Sequence, residues 1–137
     1  MARDLYHEHV RTALLKEGWT ITDDPLSLKK GRVELEADLG AERWIAAERG
    51  VEKIAVEIKS FRSDSFIYDL HEALGQYLIY QPFLERKEPT RLLFLAVPLL
   101  VYEEYFSDED IEFICREYHL RLVVFNPTAE KIALWIR

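Results

Sequence analysis

Apolar and polar positions are organised around the stretch Gly50 to Phe61, GVEKIAVEIKSF. Read as a strand, it points Ile54, Val56 and Ile58 to one face and Ala55, Glu57 and Lys59 to the other. The first face is wholly apolar and belongs to a core. The second carries a carboxylate and an ammonium two residues apart on an otherwise hydrophobic strand. Two explanations stay open. An edge strand whose second face meets water holds both charges without consequence. The alternative is half of a metal-and-lysine nuclease site, which requires an acidic partner from elsewhere in the chain.

Upstream, Tyr6, Val10, Ala13, Leu14 and Glu17 follow helical spacing, so Asp4 to Glu17 is expected to be a helix stopped by Gly18. His7 lies at the margin of its apolar stripe, and Glu8 and Arg11 turn toward solvent. Trp19 to Thr22 reads as a short strand closed by a turn at Asp23-Asp24-Pro25. Lys29, Lys30 and Arg32 around Gly31 form a compact basic loop. From Val33 to Leu39 the alternation places Val33, Leu35, Ala37 and Leu39 on one face and Glu34, Glu36 and Asp38 on the other. Gly40 follows, which makes Asp38 the last acid on the outer face. Trp44 to Ala47 is expected to be a further strand, joined to the Gly50 strand by a turn near Arg49. Pairing of these strands can bring Asp38 to Glu57, with the register left open.

Downstream, Ser65 to Leu84 reads as a long helix that buries Ile67, Leu70, Leu74, Tyr77 and Leu78, with Pro82 near its end. Arg91 to Leu100 contains the unbroken apolar run Leu92 to Val97, the mark of a strand covered on both faces. Ser107 followed by Asp108, Glu109 and Asp110 reads as a capped helix start, the helix running to Tyr118. Leu122 to Phe125 and Ile132 to Ile136 are expected to be closing strands.

The 137 residues suit one α/β domain with a real core. The single cysteine, Cys115, cannot form an internal disulfide, and neither a membrane-length apolar run nor a signal-peptide core is seen. A cytoplasmic protein is expected. The net charge of −7 weighs against a freestanding DNA binder, because the surface as a whole repels phosphates and contact must come from a local patch.

The spacing permits phosphodiester hydrolysis. A hard ion such as Mg²⁺ or Mn²⁺ takes oxygen ligands and activates a water. A neighbouring lysine offsets charge developing on the phosphate. Asp38, Glu57 and Lys59 supply that set. The order helix, strands, Glu-x-Lys strand, helix, strand resembles the PD-(D/E)XK (restriction-endonuclease-like) nuclease superfamily, whose core is an αβββαβ arrangement with a mixed central sheet flanked by helices. Within it the chain looks most like the RecB-like branch. That resemblance implies a histidine metal ligand on the first helix, matched by His7, with Glu8 as the competitor. It also implies a Gln-x-x-x-Tyr motif, matched by Gln76 and Tyr80, which share a helix face with Glu72. One departure is that Ala37, not proline, precedes Asp38.

DLYHEHVRTALLKEGWTITDDP, ADLGAE, EKIAVEIKSF and ALGQYLIY together look like the XisH family, named as fdxN-element excision controlling factors. The resemblance implies a cyanobacterial protein tied to programmed, site-specific removal of a DNA element in heterocyst differentiation. It further implies a XisI-type partner and a separate recombinase. The functions to be weighed are a Mg²⁺-dependent endonuclease acting on DNA, a catalytically silent nuclease-fold adaptor, and a nuclease for RNA or single strands in a defence or toxin pair. A homodimer is compatible with each. Lys29, Lys30 and Arg32 are candidates for the phosphate backbone. His9, His71 and His119 read as structural or exposed, Cys115 as a small hydrophobe, and Trp19, Trp44 and Trp135 as core or interface anchors.

Overall fold

The computed structural model describes residues 4–45 and 50–137. Helix α1 (His7–Lys16) is followed by β1 (Thr20–Asp23), β2 (Leu26–Lys29), β3 (Leu35–Ala37), β4 (Leu39–Ile45) and β5 (Gly50–Ile58). Helix α2 (Phe66–Lys87) leads to β6 (Arg91–Pro98), and a short α3 (Leu99–Val101) runs into a π-helical turn at Tyr102–Phe106. Then come α4 (Glu109–Glu117), β7 (Leu122–Asn126) and β8 (Lys131–Ile136). Six strands form a mixed sheet in the order β1-β4-β5-β6-β7-β8, and β2 and β3 pair as a separate antiparallel ribbon. The β5–β6 and β6–β7 pairs are parallel; β1–β4, β4–β5 and β7–β8 are antiparallel.

Strand β5 lies inside the sheet, with β4 on one side and β6 on the other, so an edge strand is ruled out. Ile54, Val56 and Ile58 pack with Val10 and Leu14 of α1 and with Phe94. Ala55, on the opposite face, packs with Leu70, Ala73, Tyr77 and Tyr80 of α2. Helices therefore cover both faces, and the unbroken apolar run of β6 divides between them: Leu93, Leu95 and Val97 toward α2, Phe94 and Ala96 toward α1. Each fully buried Leu, Ile or Phe contributes about 1.5–3 kcal/mol.

Several expectations need correction. The strand expected at Val33–Leu39 is broken by a bend at Asp38, and Val33 is exposed. Gly40 does not end a strand; it lies within β4, where a Cβ would meet Asp23 Oδ2 at 3.0 Å and Arg91 Nη1 at 3.2 Å. Trp44 and Ile45 continue β4, and Trp44 is exposed rather than an anchor in the core. Ala46, Ala47 and Arg49 lie outside the described residues. Lys29 ends a strand instead of sitting in a loop. Helix α2 starts where expected, with Ser65 Oγ accepting the Tyr68 N–H at 3.2 Å, but it is rotated. It buries Leu70, Ala73, Tyr77, Tyr80 and Leu84, while Ile67 and Leu78 are exposed. The cap of α4 is Asp108, whose Oδ1 accepts the Asp110 N–H at 2.9 Å; Ser107 Oγ donates to the Glu103 carbonyl at 2.8 Å. Among the described residues no helix is long and apolar enough to cross a membrane.

Arg91, only 4 % exposed, ties three strands to the α2–β6 connection. Its guanidinium donates to the Ile54 carbonyl at 2.9 Å and the Ala41 carbonyl at 3.4 Å. It also forms a two-pronged pair with Glu88 at 3.0 and 3.1 Å. Truncating one partner of such a pair strands buried polar groups. Arg91→Met is expected to lower the unfolding free energy in urea by about 3 kcal/mol. A loss within experimental error would show that Glu88 and the two carbonyls are satisfied by water.

Candidate active site

The site forms where the β4–β5 ladder runs out. Its last pair is Leu39 with Val56, and at Asp38 the backbone bends away. The Asp38 side chain takes over the next contact, its Oδ2 accepting the Ile58 N–H at 2.7 Å. Glu57 projects from β5 toward α2 and is 8 % exposed. Asp38 is the charged group that acts on it most strongly. Glu57 Oε1 is buried without a hydrogen-bond partner.

Two carboxyl groups meeting out of water cannot both ionise cheaply. Burial, with the neighbouring Asp38 charge, pushes the Glu57 carboxyl up to about 9. Asp38 is also raised, by burial first, against the lowering effect of the Ile58 N–H and of His7. Asp4 contributes to the same rise. It is a site neighbour that sequence inspection missed: its Oδ2 accepts the Ser60 N–H at 3.2 Å, which ties the start of the chain to the end of β5.

Lys59 lies just past β5, where its N–H donates to the Ala96 carbonyl at 3.1 Å. Its ammonium forms an ion pair with Glu72 of α2. Glu72, Gln76 and Tyr80 recur every four residues, which brings one side of the helix to the site. Glu72 was visible beforehand only as a face-mate of the other two. Gln76 is half-buried, with Oε1 lacking a partner. Tyr80 is buried, and burial, with the charges of Glu57, Asp38 and Glu36, pushes its hydroxyl up to about 12. That hydroxyl keeps its proton at neutral pH.

His7 is buried and Glu8 exposed, so His7 is the residue that turns inward. Its Nε2 donates to Asp24 Oδ1 at 2.7 Å, since a carboxylate only accepts. Arg11 Nε lies 3.3 Å from the other oxygen of Asp24. His7 Nδ1 is buried without a partner. Among the described residues, the group of three possible metal-ligating side chains within 4.8 Å of one another is His7, Glu8 and Asp24. His7 therefore stands within electrostatic reach of Asp38 but does not close a three-ligand cluster with Asp38 and Glu57.

The remaining candidates lie elsewhere. Lys29, Lys30 and Arg32 sit at the far end of the β2–β3 ribbon. Cys115 is half-buried against the α2-side core, and burial pushes its thiol up to about 11, which suits packing and not nucleophilic attack.

Comparison with known proteins gives one consistent answer. The family model described as "XisH protein" matches residues 1–133. The crystal structure of an XisH family protein from Nostoc punctiforme is 40 % identical, with a TM-score of 0.87, over 98 % of this chain and all of that one. A fdxN element excision controlling factor protein from Anabaena variabilis is 43 % identical, with the same TM-score and coverage. No curated protein matches the chain. A mixed α/β fold that aligns end to end with such relatives, and a family model spanning nearly every residue, establish that the chain belongs to the XisH family.

Proposed function

We infer that the chain is a divalent-metal-dependent nuclease of PD-(D/E)XK type that acts on DNA in the excision of a DNA element, beside a XisI-type partner. The observation that carries this is the meeting of half-buried Asp38 and buried Glu57 where the β4–β5 ladder ends, with Lys59 beside them. The excision role is taken from the Anabaena relative, which is described as an excision controlling factor.

The donor set fits a hard cation. Its atoms are carboxylate oxygens, and one of them, Glu57 Oε1, is buried and lacks any protein partner. Asp38 and Glu57 are the residues that would hold Mg²⁺ or Mn²⁺, with His7 beside Asp38. Such an ion supplies polarisation of the phosphate and a water of lowered pKa. The chain supplies the rest. Lys59 brings a positive charge beside the acids, where negative charge develops on the phosphate. Glu72 holds that ammonium in position. Tyr80, kept protonated, offers a donor toward the acids, and Gln76 adds an amide one turn away.

The charge frustration has its own signature. Glu57 has a folded pKa above its ordinary 4.5, so the metal-free fold binds more protons than the unfolded chain between about pH 4.5 and 9. Metal-free stability should therefore fall as pH rises through that window. Glu57→Gln is expected to flatten this decline and to stabilise the metal-free protein at pH 8 by roughly 2 kcal/mol. Mn²⁺ should raise the Tm of the wild type more at pH 8 than at pH 6, and leave the Gln variant unmoved. A Gln variant less stable than wild type at pH 8 would contradict a strained acid pair.

Activity is tested by nicking of supercoiled plasmid with Mg²⁺ or Mn²⁺, with and without the co-purified partner. Lys59→Ala is expected to lose at least about 100-fold in rate, and Asp38→Asn or Glu57→Gln to abolish cleavage. Cleavage that persists in all three variants sinks the assignment, and its absence in the wild type with partner leaves an adaptor.

A further inference from the structure

We propose that the β2–β3 ribbon and the last turn of α2 form a second phosphate-binding surface, which grips the nucleic-acid backbone to one side of the Asp38–Glu57 pair. The proposal rests on the chain taking nucleic acid, and it adds where a long substrate must run.

Among the described residues, several cations of this acidic protein are neutralised in place. Arg43 and Arg137 face Glu52, Lys53 faces Glu42, and Arg116 faces Glu112. Lys29, Lys30, Arg32, Arg86 and Lys87 are not, and unlike the other unpaired cations, Lys16, Arg62, Arg121 and Lys131, they lie on the ribbon and the adjoining end of α2. None of them has a carboxylate at ion-pair distance among the described residues. Lys29 donates to the Lys30 carbonyl at 3.3 Å, and Lys87 to the Ser27 carbonyl. The Arg86 guanidinium lies 5.2 Å over the Phe83 ring. Carbonyls and a ring orient these groups and leave their charge uncompensated.

The fold gathers them. The Lys87–Ser27 bond sets the end of α2 against β2, and Lys29 ends that same strand. The ribbon then turns through Lys30, Gly31 (φ +129°) and Arg32. At Gly31 a Cβ would lie 3.5 Å from Lys29 Nζ, an ordinary contact, so the ammonium folds back over the turn. Glu34 and the exposed Glu36 of the ribbon and Glu85 of α2 share these elements, and the five cations outnumber those three acids.

Distance from the acid pair follows from element geometry. Lys87 is seven residues beyond Tyr80, about 10 Å along the helix. Arg32 is six residues before Asp38, about 20 Å of extended chain. At roughly 3.4 Å per nucleotide along a strand, the surface meets phosphates some 3–6 nucleotides from the cut. Double-stranded DNA is the ligand to which we commit.

The test uses the full chain in Ca²⁺ and measures anisotropy of a 30-bp DNA duplex between 50 and 200 mM NaCl. The variant Lys30→Gln/Arg32→Gln/Arg86→Gln/Lys87→Gln is expected to bind at least about 10-fold more weakly at 50 mM, with a salt slope shallower by about 3–4. A control that removes charge elsewhere, Arg116→Gln/Lys131→Gln, should leave the slope unchanged, and circular dichroism should show both variants folded. Hydrolysis of bis(p-nitrophenyl) phosphate, too small to extend past the acid pair, should be equal in wild type and the four-site variant. An unaltered slope in that variant, an equal loss in the control, or no salt-dependent binding by the wild type overturns the surface. Patch-dependent binding without hydrolysis by the wild type would instead remove the nuclease assignment and keep the surface.

Discussion

The structure turns on two acids that share a buried corner. Asp38 comes from the bend before β4 and Glu57 from β5; burial raises both pKa values, and the charge of Asp38 adds to the rise of Glu57. The backbone holds the pair in place. Asp38 is fastened to the Ile58 N–H, and Glu57 projects from a strand clamped between β4 and β6. The packing of two apolar clusters, one on each face of the sheet, exceeds the strain of that corner. A feature that costs stability, held by the most rigid part of the fold, is what a site for a cation needs and what a purely structural role does not.

The remaining groups arrive by the same economy of geometry. Strand β5 pairs antiparallel with β4 and parallel with β6, so the chain leaving β5 must cross over before it can return. Helix α2 is that crossover. Its passage over the face that carries Ala55 and Glu57 brings Glu72, Gln76 and Tyr80 past the end of β5. Lys59, one residue beyond the strand, meets the helix through Glu72. The groups from α1 are less direct. His7 is fastened to Asp24 through Nε2, with Nδ1 buried and free of protein partners. The histidine stands beside Asp38 with Nδ1 unpartnered, while the acid pair itself is built by the sheet.

Legibility from the sequence follows this division. The period-two pattern of β5 and the unbroken run of β6 were readable because a strand between two helical layers buries both of its faces in register. The same pattern misled at Val33–Leu39, where alternation continued through a backbone bend that a side-chain hydrogen bond, and not hydrophobicity, creates at Asp38. On α2 apolar residues encircle the helix, so periodicity could not choose a face. The sheet selects Ala73, small enough to approach it, and Tyr77, whose hydroxyl lies 3.2 Å from the Leu93 and His119 carbonyls. The π-helical turn at Tyr102–Phe106 had no local signal either. It is set by aromatic packing across the chain, with Tyr105 and Phe66 stacked at 4.2 Å. Glu72 and Asp4 were invisible as site neighbours because their partners, Lys59 and Ser60, lie 13 and 56 residues away.

Net charge sets the last constraint. A chain at −7 with an acid pair at its site does not attract a phosphate backbone at that spot. A cation held there reverses the local sign, yet one ion cannot retain a long polyanion in moderate salt, where exposed interactions fade within about 8–10 Å. The free positive charge of the ribbon and of the last turn of α2 lies about 10–20 Å from the acids, at or beyond that screening distance. Under the proposed function, the acid pair would act on the phosphate it contacts, and the basic surface would set how much of the backbone stays bound.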